Sequence, residues 1–193
     1  RSAILDAGQR VFTEVGFEAC TIRDIVRESS LSPGTFYNYF ESKEAVLAEL
    51  IEELAGDIRE RVRAARAAAT DSRSFIEDGY RAYFDVFAAS EPTLQLVARN
   101  QNIFGGDAGS VSSGADAALP VQGIFDDLEK DLRGAIRAGY FPRFGVDLAS
   151  YAMVGAGFEL LVRMATRKDI TPASAARFLA QLFIGGLPAC TEG

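Results

Sequence analysis

The chain has 193 residues, of which 48% are hydrophobic and 24% charged, enough apolar material for one sizeable core or two smaller ones. It contains no histidine, which removes the commonest general base, zinc ligand and near-neutral pH switch, and with them the usual hydrolase and metalloenzyme constellations. A formal net charge of −7 weighs against nucleic acid and anionic membrane surfaces, because both attract basic proteins.

Cys20 and Cys190 stand near opposite ends without metal-ligand spacing and read as reduced thiols. No signal-peptide pattern opens the sequence, and the longest nearly uncharged run, Leu148 to Phe158, is shorter than the roughly 20 apolar residues that cross a bilayer. The expectation is a cytoplasmic protein with no membrane partner, no metal, no cofactor and no catalytic centre.

In chain order, Ala3 to Val15 sets Ile4, Leu5, Gly8, Val11, Phe12 and Val15 along one helical stripe that Gly16 ends. Thr21 opens a short helix through Ser29, its "TIRD" having capping-box form with Asp24 in the place of Glu or Gln. Pro33 suits the first turn of a third helix to Phe40, and Ser42 caps a long one to about Ala69. That helix carries Val46, Leu47, Leu50, Ile51, Leu54, Ile58 and Val62 on one stripe, and its "RERVRAARAAAT" end reads as a solvated basic face. Helices over Ser72–Ala89 and Glu91–Phe104 follow, then a Gly- and Ser-rich loop, Gly105–Pro120. Helices over Val121–Ala138, Val146–Arg167 and Pro172–Gly185 complete the pattern. The fold class is all-α with about nine helices: a three-helix unit of helix-turn-helix proportions over residues 1–48 and a larger helical domain over 49–193.

The stretch "SPGTFYNYFESKEAVL", from Ser32 to Leu47, holds four aromatics in five positions. On a helix Phe36 and Phe40 face one way, towards Phe12, Ile22 and Ile25, while Thr35, Tyr37, Asn38 and Tyr39 fall on the outward arc. Exposed tyrosines beside Thr and Asn need a reason beyond packing. A helix-turn-helix supplies one, since its second helix enters the major groove. Ser42 and Lys43 then set the start of the next helix where a phosphate is favoured.

With "VFTEVGFEACTIRDI" followed by "LSPGTFYNYFESKEAVL", the first fifty or so residues resemble the DNA-binding domain of TetR-family transcriptional regulators. The resemblance implies phosphate anchors at Thr21 and Lys43, phosphate contacts from Tyr37 and Tyr39, and base reading by Arg23, Thr35 and Asn38. Arg pairs with guanine and Asn with adenine through two hydrogen bonds each. Many relatives have Gly where this chain has Ser30, and a left-handed serine there costs about 1 kcal/mol. Many also have His where Tyr39 stands. Residues 1–48 carry five basic against seven acidic side chains, so any attraction to DNA is local rather than global.

Beyond this unit, Phe75, Gly79, Tyr83 and Phe87 lie on one helix face, with Tyr80 and Phe84 beside it, as a core stripe or as the wall of a largely apolar effector pocket. The candidate pocket residues are Tyr83, Phe87, Leu96, Asn100, Phe104, Phe125, Tyr151 and Phe158. Val154, Leu161 and Val162, with Phe178, Leu179, Leu182 and Phe183, form the candidate homodimer interface; in the family such helices pair across a two-fold axis into a four-helix bundle. The reading is a ligand-responsive regulator, a repressor binding a palindromic double-stranded operator as a homodimer and released by a small molecule. The alternative is a helical ligand-binding or scaffolding dimer that does not bind DNA.

Overall fold

The computed structural model describes residues 1–104 and 121–187, which form ten helices. The first three, α1 (Ser2–Val15), α2 (Ile22–Ser29) and α3 (Pro33–Tyr37), close over the start of α4 (Lys43–Ala67). Then come α5 (Ser72–Ala88), α6 (Glu91–Arg99), α7 (Gln101–Phe104), α8 (Val121–Arg137), α9 (Val146–Met164) and α10 (Pro172–Gly186). The Gly105–Pro120 loop and Cys190 lie outside the described residues.

Side-chain caps decide where several helices start. Thr21 and Asp24 form the reciprocal box expected for α2, and Ser32 and Ser42 accept from Thr35 and Ala45 to start α3 and α4. Helix α3 is shorter than its pattern: it ends at Tyr37, and Tyr39 and Phe40 both donate their backbone N–H to Phe36 O in a closing turn. That turn still delivers Phe40 to the core, where Phe36 and Phe40 are 0% and 4% exposed.

Two cores result. One joins Ile4, Phe12, Ile25, Phe36, Val46 and Ile51 around the N-terminal unit; the other joins Ile58, Phe84, Leu132, Met153, Leu161 and Leu179 around α5. Helix α4 serves both, and its 25 residues span about 37 Å.

The sequence pattern places one helix over Glu91–Phe104, and the structure corrects this to two. The break is at Asn100, whose side chain is buried and fully employed. Its amide donates to Leu96 O at 2.8 Å and Phe12 O at 3.1 Å, and its Oδ1 accepts from Phe17 N at 2.7 Å. Satisfying the end of α1 outweighs continuing α6. Gln9 adds a bond from α1 to Thr93 at 3.2 Å, and Leu96 of α6 is buried in the N-terminal core. Helix α6 therefore reaches into the N-terminal core.

Ser30 follows α2 at φ 57°, ψ 22°, in the left-handed region that favours glycine. It is the one non-glycine residue with positive φ among the described residues. Ser30→Gly is expected to raise unfolding stability by about 1 kcal/mol in a urea titration. An unchanged or lower midpoint would mean the turn costs the serine nothing.

Candidate nucleic-acid interface and effector cavity

Phe36 anchors α3 from below, and the outward arc carries the polar groups. Tyr37 and Tyr39 are 59% and 53% exposed, Asn38 is exposed and Thr35 is half-buried. Tyr37 is held edge-on to Phe36, with ring centroids 5.5 Å apart, so its position is set by the core although its hydroxyl is outside. Thr35 exchanges a 2.9 Å hydrogen bond with Ser32, the cap of its own helix. On α2, Arg23 is exposed and makes no ion pair among the described residues, whereas Arg27 is paired with Asp24. The polar face of α3 and the free guanidinium of α2 thus stand on adjacent helices.

Thr21 and Lys43 have work inside the protein. Thr21 donates its hydroxyl and its backbone N–H to Asp24, at 2.6 and 3.0 Å, and these bonds hold the Asp24 carboxyl below the ordinary carboxylate range. The Lys43 ammonium donates to Phe17 O at 2.8 Å, Cys20 O at 2.9 Å and Glu18 O at 3.4 Å, and lies 4.4 Å from the Phe17 ring centroid. It clasps the α1–α2 turn onto the start of α4. The thiol of Cys20 in the same turn is buried, and desolvation, outweighing the pull of Lys43, pushes it up to about 11, so it is an inert core group.

Between α4, α5, α8 and α9 lies a cavity of about 700 Å³, within the usual size for small-molecule sites. Tyr83, Phe87, Phe125, Tyr151 and Phe158, all pocket candidates, are among its lining residues. Leu96 and Asn100 do not: Leu96 packs in the N-terminal core and Asn100 ties down α1, while the neighbouring Val97 supplies the wall instead. Phe104 ends α7, and its side chain lies outside the described residues. Burial raises both tyrosine hydroxyls, Tyr80 and Tyr83, above their ordinary range. Tyr80 spends its hydroxyl on Met153 O at 2.8 Å, but the Tyr83 hydroxyl has no hydrogen bond among the described residues.

One end of the cavity is charged. Arg59 pairs with Asp127 at 2.7 Å, Arg63 reaches the same carboxylate at 3.3 Å, and Arg66 pairs with Asp131 at 3.2 Å. Partial burial pushes the Asp127 carboxyl up, but the two arginines overcome it and leave it below the ordinary value. These residues correct the reading of the α4 end as a solvated face: Arg66 is largely buried, over the Phe75 ring. The spacing of Arg59, Arg63 and Arg66 on one helix face matches that of Asp127 and Asp131, one turn apart, a signal for the ion pairs but not for the burial of Arg66.

The candidate interface residues divide. Phe178 and Leu182 are 57% and 51% exposed, an unpartnered apolar stripe on α10. Leu161 and Leu179 are core residues within one chain, which corrects their assignment to an interface. Val154 lines the cavity, Val162 is half-buried, and Phe183 stacks on Tyr80 with ring centroids 6.3 Å apart. Among the described residues no group of His, Cys, Asp or Glu side chains is placed to hold a metal ion, and no helix is long and apolar enough to cross a membrane.

The clasp at Lys43 yields a direct expectation. Lys43→Met should lower unfolding stability by about 2 kcal/mol in the absence of DNA, because three backbone carbonyls lose a charged donor. Unchanged stability would show the clasp to be energetically idle.

Residues 4–50 match the family described as bacterial regulatory proteins, tetR family. Among curated relatives, the repressor KstR2 of Rhodococcus jostii is 28% identical over 96 residues, 50% of this chain and 47% of that protein. The regulator BetI of Rhizobium meliloti is 37% identical over 90 residues, 46% of this chain and 44% of that one. The chain thus spans less than half the length of these curated relatives. In overall fold it is similar to the fatty acid degradation regulator FadR of Bacillus halodurans, with a TM-score of 0.79 at 22% identity over 96% of this chain and 95% of that one. FadR of Bacillus subtilis, solved with stearoyl-CoA, gives 0.75 at 19% identity over 96% and 98%. Residues 4–50, which hold α1 to α3 and the start of α4, are thus similar to the tetR family of bacterial regulatory proteins, and the whole chain shares its fold with these solved regulators.

Proposed function

We propose that the protein is a ligand-responsive transcriptional repressor that binds a palindromic operator as a homodimer and leaves it when a small molecule fills the cavity. The observation that carries this reading is the arc of exposed Tyr37, Asn38 and Tyr39 over a fully buried Phe36. In this account Arg23, Thr35 and Asn38 read base edges, and Tyr37 and Tyr39 donate to phosphates. Thr21 and Lys43 serve DNA chiefly by holding α2 and α4 in place, their donors being committed within the chain. The apolar walls favour a largely apolar effector. The stearoyl-CoA held by the Bacillus subtilis neighbour, a ligand with a long apolar chain, is consistent with such an effector here.

The release mechanism follows from shared helices. Helix α4 lines the cavity from Ile51 to Arg66 and also contributes Val46, Leu47 and Ile51 to the N-terminal core. Helix α6 presents Val97 to the cavity and Leu96 and Asn100 to α1. A ligand that displaces either helix tilts the recognition unit. It shifts DNA affinity only by as much as its own affinity differs between the two states.

Dimerisation would use α9 and α10, with the exposed Phe178 and Leu182 at the centre. A two-fold pair presents two recognition helices to half-sites about 34–36 Å apart, or a multiple of that. Phe178→Glu together with Leu182→Glu should convert a dimer into a folded monomer in sedimentation; an unchanged mass would move the interface elsewhere.

Selection of random duplex DNA by the full chain at near-physiological salt should enrich a palindrome, and Tyr37→Ala should abolish binding to it while leaving the far-ultraviolet spectrum intact. No enrichment by a folded dimer would favour a ligand-binding module that does not bind DNA, the reading to which the acidic balance of residues 1–48 points.

A further inference from the structure

Tyr83 brings an unused hydrogen-bonding group to the cavity. Gly79, Tyr83 and Phe87 occupy successive turns of α5, and all three line the cavity. Gly79 and Phe87 are buried, whereas Tyr83 between them keeps part of its surface, on a stripe that faces the cavity. Its ring is fixed edge-on to Phe84 and Phe87, with centroids 5.1 and 5.3 Å away. The far end of the ring reaches α9, where a Cβ at Gly157 would lie 3.8 Å from Tyr83 Cε1. The hydroxyl, carried by the neighbouring ring carbon, therefore stands between α5 and α9.

That hydroxyl has no hydrogen bond among the described residues. Arg66 Nε is the one enclosed side-chain polar atom there without a partner, so the unpaired Tyr83 oxygen is not enclosed, and a water-sized molecule can touch it. Its surroundings are uncharged: burial alone raises the Tyr83 hydroxyl above its ordinary range, and it stays a protonated donor. The charged groups of the lining pair among themselves, Arg59 and Arg63 with Asp127 and Arg66 with Asp131. Of the other two phenols in the lining, Tyr80 donates to Met153 O and Tyr151 is 59% exposed.

Building on the effector reading above, we propose that the effector presents an uncharged carbonyl oxygen to the Tyr83 hydroxyl, with apolar surface on either side of it. A hydrocarbon in that place would shut the hydroxyl off from water and leave it unpaired, which costs affinity. A carboxylate there would lose its hydration with no charge beside it to offset the loss, which costs more. A carbonyl offers lone pairs without a proton or a charge, and so fits a group that is free to donate. Tyr83 is thereby the residue that selects among apolar molecules of similar shape.

The test is calorimetric titration of the full chain with three probes sharing one ring system: 2-acetylnaphthalene, 2-isopropenylnaphthalene, in which a CH2 group replaces the carbonyl oxygen, and 2-naphthoate. The ketone should bind about fivefold or more tighter than either of the others. Tyr83→Phe should abolish its advantage over the hydrocarbon, while the hydrocarbon's own affinity stays within about twofold. The carbonyl stretch of the bound ketone should lie lower in the native chain than in Tyr83→Phe, as a hydrogen bond requires. Without ligand, Tyr83→Phe should melt no lower than the native chain; a lower melting temperature would show that the hydroxyl already has a partner and would overturn the inference. Equal binding of ketone and hydrocarbon, tighter binding of the naphthoate, or an advantage that survives in Tyr83→Phe would overturn it too and leave the effector site standing. Failure of all three probes to bind would overturn the effector reading together with the inference.

Discussion

Helix α4 is the constraint on which the molecule depends. Its first turns complete the core under α3 through Val46, Leu47 and Ile51, and its later turns form the cavity wall through Ile58, Arg59 and Arg66. An α-helix transmits a displacement along its axis because its own hydrogen bonds keep it stiff. Nothing resembling a flexible linker separates the residues that would meet DNA from those that would meet a ligand. A movement of the cavity wall is therefore a movement of the floor of the N-terminal unit.

A second connection makes that coupling tighter. Asn100 ends α6 and bonds to both Phe12 and Phe17, and Lys43 bonds to three carbonyls of the α1–α2 turn. The N-terminal unit is thus gripped from α6 on one side and from the start of α4 on the other. The two grips use different physics: a neutral amide fully satisfied in the interior, and a charged donor at a partly buried turn. Both spend polar groups that sequence patterns would otherwise assign to ligand or DNA.

How far the sequence could be read follows from this. The helical stripes, the capping box at Thr21 and the division of labour between Phe36 and Tyr37 were legible because period and capping are local properties. A cost at Ser30 depended on the turn being left-handed, which the sequence left open and the dihedral shows. The break at Asn100 was not, because its cause is a contact with Phe12, 88 residues away in sequence. Nor was the burial of Arg66: an arginine in an alanine-rich helix looks solvated until α5 presents a glycine at position 79 to receive it. Leu161 and Leu179 failed in the same way, since periodicity marks an apolar face without saying whether it meets its own chain or another.

The central claim is that the N-terminal unit and the cavity are one cooperative body joined through α4 and α6. Native-state hydrogen exchange at increasing urea tests it directly, by comparing amides of Phe12 and Ile25 in the N-terminal core with those of Phe84 and Leu132 around the cavity. The account predicts that all four merge into one unfolding isotherm with a common free energy and denaturant slope. Exchange of Phe12 and Ile25 through a separate, lower-energy opening that leaves Phe84 and Leu132 protected would contradict it.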